Sequence, residues 1–99
     1  HDDDIQDALI AFLFSKPAHR AHAQQCYAGL EKQFPGLTDD EVNVPYRSSV
    51  SKWANRVQFA RLHLVVDGYI FPARTGLSPS TGVWILTPLG ETRGRQLSR

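Results

Sequence analysis

This sequence has few cysteines, no long apolar run and, in its second half, few acidic residues. Cys26 is the only cysteine, which excludes an intrachain disulfide and points to a reducing compartment. No apolar run approaches the roughly 18–20 residues that span a bilayer, and the N-terminus lacks the basic start of a signal peptide. The expected location is therefore the cytoplasm, with no membrane partner. A glycine-rich phosphate loop is missing, and so is the carboxylate-carboxylate-lysine arrangement of metal-dependent nucleases. Neither Glu31-Lys32 nor Asp39-Asp40 has its spacing or a strand to sit on. His19, His22 and Cys26 fall at i, i+3 and i+7, one face of a helix, but a structural zinc site takes four ligands and no second cluster supplies the fourth. A histidine–cysteine nucleophilic pair would need an oxyanion hole, and nothing resembles one. Catalysis, metal and cofactor are not expected in this chain.

Its 99 residues, 41% hydrophobic and 21% charged, fit one globular domain with one small core, burying about 60–65% of the extended chain's surface. The leading His1 reads as the mark of a segment excised from a larger protein, with recognition here and an enzyme elsewhere. The net charge of +1 hides an asymmetry. Residues 1–41 set Lys16, Arg20 and Lys32 against eight carboxylates, a balance of −5. Residues 42–99 set Arg47, Lys52, Arg56, Arg61, Arg74, Arg93, Arg95 and Arg99 against only Asp67 and Glu91, a balance of +6. Gathered on one surface, the second half would suit phosphate; interleaved, the charges would merely solvate the fold.

Periodicity predicts a first helix to about Phe14 on the stripe Ile5, Leu9, Phe12 and Leu13, its early carboxylates complementing the helix dipole. Lys16-Pro17 breaks it. A second helix is predicted from about His19, with Ala23, Tyr27, Leu30 and Phe34 on one face, ending at Pro35-Gly36. Residues 35–49 read as a connector in which Thr38 and Glu41 can start a short turn before Pro45. Ser48 or Ser49 then caps a third helix, whose core stripe is Val50, Trp53, Val57, Ala60 and Leu64 and whose stop is Gly68. Tyr69-Ile70-Phe71 and Gly82–Leu86 read as strands around a polar loop at 72–81. Thr87-Pro88 caps a closing helix through about Leu97. The expected fold is α+β, mainly α: a winged helix-turn-helix with three helices, a two- to three-stranded β wing and a C-terminal helix, as a single domain over 1–99.

The run NRVQFARLHLVVDGYI at 55–70, with GVWILTPLG at 82–90, resembles the N-terminal domain of the Mrr-type restriction proteins. That family has a recognition helix near N-R-V-x-W-A-x-x-x-L-x-x-A-G-L-L, and its wing returns as G-V-W-x-L-T-x-x-G. Asn55, Arg56, Val57, Ala60, Leu64 and Gly68 match directly; Phe59 stands for the usual Trp and Asp67 for the usual alanine, and the wing loop is longer. The resemblance implies a winged-helix domain that targets a nuclease in the same polypeptide to modified, methylated DNA.

On a helical wheel Asn55 lies opposite the core stripe, with Ser48, Ser51, Lys52, Gln58 and Phe59 on the same outward half and Arg56 at its edge. In helix-turn-helix proteins the N-terminal turns of such a helix reach the base edges of duplex DNA. The expected roles are Asn55 on adenine, Lys52 or Arg56 on guanine, and Ser48 and Ser51 on phosphates, with Arg47 and Ser49 also expected among the DNA-binding residues. Each has a plainer reading: Asn55 solvated, Arg56 braced on a carboxylate such as Asp67, the serines as caps, Phe59 packed under the wing. In the loop, Arg74, Thr75, Ser78 and Ser80 suit the minor groove or flanking backbone. The alternative function is a winged helix used for protein docking or as a homodimer interface within a restriction or regulatory assembly.

Overall fold

The apolar residues of the first helix recur every third or fourth position, and that stripe becomes the centre of the molecule. In the computed structural model, which describes residues 2–34, 45–46, 50–72 and 82–98, helix α1 (Asp2–Phe14) buries Ile5, Leu9, Ile10 and Leu13. It packs against α2 (Ala23–Glu31), α3 (Lys52–Val66) and α4 (Pro88–Leu97), the other helices among the described residues.

After α1, Lys16 takes the extended conformation that a following proline demands (φ −94°, ψ 154°). Pro17–His19 form one 3-10 turn in which Ala18 and His19 have φ of 56° and 52°. Side-chain-bearing residues seldom occupy this left-handed region, and His19 is held there from three sides. Its ring stacks on Phe14 at 4.8 Å, its Nδ1 lies 3.4 Å from Glu91 Oε1, and its carbonyl accepts from Leu86 N. The turn feeds a strand, β1 (Arg20–His22), where periodicity predicts helix. The second helix therefore begins at Ala23 rather than near His19. The reason is tertiary: β1 pairs antiparallel with β4 (Val83–Ile85), Ala21 opposite Trp84, a partner that local pattern cannot show. His22 N donates to Gln25 Oε1 and Ala23 N to Gly82 O, which fixes where α2 starts.

A second short antiparallel pair, β2 (Pro45–Tyr46) with β3 (Val50–Ser51), precedes α3. Val50, expected in the helical stripe, is thus in a strand, and the helix spans 52–66 rather than about 49–67. Pairing Val50 with Tyr46 postpones the helix, so the residue before it is Ser51 and not Ser48 or Ser49. The rest of the stripe is as expected, with Trp53, Val57, Ala60 and Leu64 all buried.

The C-terminus of α3 closes as the sequence predicts. Gly68 (φ 89°) donates to Val65 O and Tyr69 to Leu64 O, the two bonds of a Schellman stop. The chain then runs along the free edge of β4: Ile70 bridges Leu86, Phe71 N donates to Ile85 O, and Thr87 N to Tyr69 O. β4 is therefore flanked by β1 on one side and by residues 69–71 on the other, and it carries the buried Trp84 and Ile85 into the core. Thr87 caps α4 by accepting from Gly90 N at 3.0 Å while its hydroxyl donates to Gly68 O at 2.5 Å. One side chain thus joins the end of α3 to the start of α4.

Two changes at this junction should separate its parts. Gly68→Ala forces a Cβ into left-handed backbone and should cost at least about 1 kcal/mol. Thr87→Val removes the cap and should cost about 1–2 kcal/mol. For a domain of this size each kcal/mol lowers Tm by about 4–8 °C, readable by calorimetry; an unchanged Tm in both variants would mean the junction contributes nothing.

Candidate nucleic-acid interface

The outward face of α3 is set by what its inward face grips. The Trp53 indole N–H donates to Tyr27 O at 2.9 Å and its ring meets Phe34 at 5.4 Å. Gln58 Nε2 donates to the Tyr27 hydroxyl at 2.8 Å, and the Tyr27 ring meets Trp84 edge-on at 5.8 Å. Burial raises the Tyr27 pKa despite the Gln58 hydrogen bond and the nearby Arg61 charge, so the phenol is held neutral. Gln58, expected on the outward half, is turned onto α2.

With that roll fixed, the described outward side chains are Asn55, Phe59, Leu62, His63 and Val66. Asn55 is half-buried at the second turn of the helix, on the expected side. Phe59 is 56% exposed, Leu62 48% and Val66 84%, so Phe59 is not packed away and the C-terminal half of this face is apolar. Arg56 is half-buried, with its guanidinium carbon 5.9 Å from the Trp53 ring. With Gln6, Phe59, Ala60 and His63 it lines a shallow groove between α1 and α3, across which Gln6 Nε2 lies 3.2 Å from His63 Nδ1. Asp67 is not the brace for Arg56, since eleven residues of helix separate them by about 16 Å.

The backbone places Ser51 at the end of β3 and Lys52 at the first residue of α3, one turn before Asn55. Ser51, Lys52, Asn55 and Arg56 are therefore brought together at one end of the helix. Arg47, Ser48 and Ser49, and in the loop Arg74, Thr75, Ser78 and Ser80, lie outside the described residues. Thr38 and Glu41, the expected short turn, lie outside them as well.

Arg61, in the sequence one of several cations of the second half with no role expected for it, has a defined place in the structure. Its guanidinium lies over Trp84 at 5.8 Å from the ring centroid, and its Nε is shielded from solvent without a hydrogen-bond partner. An unpaired buried donor costs on the order of 1–3 kcal/mol. The signal was present: Arg61 follows Val57 by four residues and precedes Leu64 by three, so a cation stands on the flank of the core stripe.

The charge asymmetry is partly interleaved. Arg93 of α4 lies 3.4 Å from Asp7 of α1, an exposed pair of the kind worth little by itself. His19, His22 and Cys26 do not share a helical face, because the residues between the histidines are extended. Among the described residues no group of three or more metal-binding side chains occurs, and no helix is long and apolar enough to cross a membrane.

Cys26 is fully buried, and burial pushes its thiol up to about 12, the Lys16 charge opposing only slightly. The folded state thus holds this proton more tightly than the unfolded chain does. The associated stability is complete below pH 9 and is lost as pH rises toward 12. Urea unfolding between pH 9 and 12 should show stability falling at up to about 1.4 kcal/mol per pH unit per group. Cys26→Ala should flatten part of that slope, and Tyr27, whose pKa burial also raises, contributes in the same direction. Rapid reaction of the native protein with a thiol reagent at pH 8 would contradict the buried thiol.

No protein family, curated protein or solved structure matched this chain.

Proposed function

We propose that this chain is a winged helix-turn-helix that binds duplex DNA, with α3 as the recognition helix and residues 72–81 as the wing. The observation that carries this reading is the order of elements. A helix pair, α2 and α3, is locked through Tyr27 and Trp53, and the chain after α3 pairs antiparallel through Ile70 with Leu86, the polar sequence 72–81 lying between them. In that architecture the second helix of the pair enters the major groove by its N-terminal turns and the loop after it lies on the flanking backbone. The N-terminal end of α3 is where Ser51, Lys52, Asn55 and Arg56 fall. In this reading Asn55 meets an adenine edge and Lys52 or Arg56 a guanine. Arg47, Ser48, Ser49 and Ser51 hold phosphates, as do Arg74, Thr75, Ser78 and Ser80 on the loop. The resemblance to Mrr-type proteins adds the rest of the proposal: a nuclease domain in the same polypeptide, targeted to methylated DNA in a restriction system.

One observation favours a second reading. Phe59, Leu62 and Val66 lie at i, i+3 and i+7 and are all exposed, an apolar stripe suited to protein docking or a homodimer.

Salt separates the two. DNA binding through about four phosphates predicts a log–log slope of affinity against salt near −3 to −4, at about −0.9 per phosphate. A docking surface of apolar character predicts almost none. Arg74→Ala should weaken all duplexes alike, whereas Asn55→Ala should erode the preference between sequences by about 1–3 kcal/mol. Titration against matched duplexes carrying unmodified bases, N6-methyladenine or 5-methylcytosine tests the target. Equal affinity for all three would remove modification from the proposal, and no affinity for any would remove DNA.

A further inference from the structure

On the flank of α3 that faces α2 and β4, a cavity of about 320 Å³ opens between Ala23, Tyr27, Gln58, Arg61, Leu62 and Trp84. None of these residues carries a negative charge, and three of them, Tyr27, Gln58 and Arg61, carry hydrogen-bond donors. Arg61 rests on the Trp84 ring with its Nε shielded from solvent and without an acceptor, which leaves the terminal guanidinium nitrogens as the ones a ligand can reach. The Tyr27 hydroxyl accepts from Gln58, which leaves its own proton to give. The Gln58 amide keeps a second N–H after making that bond. A guanidinium stacked on an aromatic face presents its N–H edge for two-pronged contact with an oxyanion.

The cavity's place relative to the proposed interface narrows the oxyanion. Gln58 and Leu62 stand three and seven residues after Asn55, so the cavity shares the edge of the outward face, with Arg61 about 9 Å along the helix axis from Asn55. Trp84 follows Gly82 by two residues, at the foot of the 72–81 loop. The major groove is only about 12 Å wide, so a helix lying in it has a row of phosphates along each flank. The flank between α3 and the foot of that loop is this cavity.

We infer that Arg61, with the Tyr27 hydroxyl and the Gln58 amide, forms a cradle for one backbone phosphate of a duplex engaged by α3. The cradle rests on the DNA-binding reading above and adds a contact that the N-terminal turns and the loop do not supply. Being a backbone contact, it contributes affinity and register but no preference between sequences.

The test uses the wild-type chain, Arg61→Gln and Arg61→Lys with two unrelated 16-base-pair duplexes over a series of KCl concentrations. Binding is read by fluorescence anisotropy. Arg61→Gln should raise Kd about tenfold on both duplexes and make the salt slope shallower by about one, with Arg61→Lys recovering part of the loss. Because a variant at a core flank can fold poorly, the wild-type chain supplies a second measurement. Its Arg61 Nε–H signal in nitrogen-15 NMR should move when duplex is added. Wild-type binding to DNA with a stationary Arg61 signal, or with an unchanged Kd and slope in a folded Arg61→Gln, would overturn the cradle and leave DNA binding standing. If the wild-type chain binds neither duplex at low salt, the DNA-binding reading fails and takes the cradle with it. An Arg61 signal moved by an acidic protein partner but not by DNA would also overturn it.

Discussion

Tyr27 is the constraint on which the disposition of the rest depends. Its carbonyl takes the Trp53 indole, its hydroxyl takes the Gln58 amide, and its ring meets Trp84. Two of these contacts grip α3 at points five residues apart, enough to fix both its distance from α2 and its roll about its own axis. Trp53 is the largest fully buried side chain among the described residues. Truncating a buried aromatic to alanine costs about 3–5 kcal/mol, a large part of the 5–15 kcal/mol that typically holds a domain together. Replacing it by phenylalanine would keep most of the packing and strand the Tyr27 carbonyl. Everything proposed for the outward face of α3 follows from this grip, because a rotation of the helix by one residue, about 100°, would carry Asn55 from the outward face to a flank.

The second organising element is β4. It is three residues long, yet it receives β1 on one edge and residues 69–71 on the other, and it sends Trp84 and Ile85 into the core. Its continuation, Leu86 and Thr87, ties the left-handed turn at His19 and the stop at Gly68 to the start of α4. The ends of the 72–81 segment are thereby held on adjacent strands beside α3. The wing proposed for residues 72–81 would take its aim from these flanking segments, since a stretch rich in turn formers carries no core of its own.

Much of this was legible in the sequence. The stripes Ile5–Leu9–Leu13 and Trp53–Val57–Ala60–Leu64, the Gly68 stop and the Thr87-Pro88 start are local signals, and each marks what it should. What was hidden depends on partners distant in the chain. β1 is three residues of polar appearance made into a strand only by β4. The preceding turn needs two left-handed residues whose identities, Ala18 and His19, give no warning. Val50 was assigned to the helix because its spacing fits, but its pairing with Tyr46 prevails. At the candidate site, Asn55 could be placed from a helical wheel. Gln58 could not, since only Tyr27 draws it inward, and Arg61 enters the sequence reading only as one charge of the basic half, although a cation beside a core stripe asks for an explanation.

The outward face of α3 is polar at its N-terminal end and apolar toward its C-terminus, so its two halves favour different partners. A residue-by-residue map of backbone amide shifts, recorded by NMR as a short duplex is added at low salt, tests the choice most directly. Duplex DNA held by the recognition helix and wing predicts the largest changes over residues 51–59 and 73–81, abolished by raising the salt. Changes confined to α1 or α4, or a map that stays still with DNA and moves only with protein concentration around Phe59, Leu62 and Val66, would contradict it.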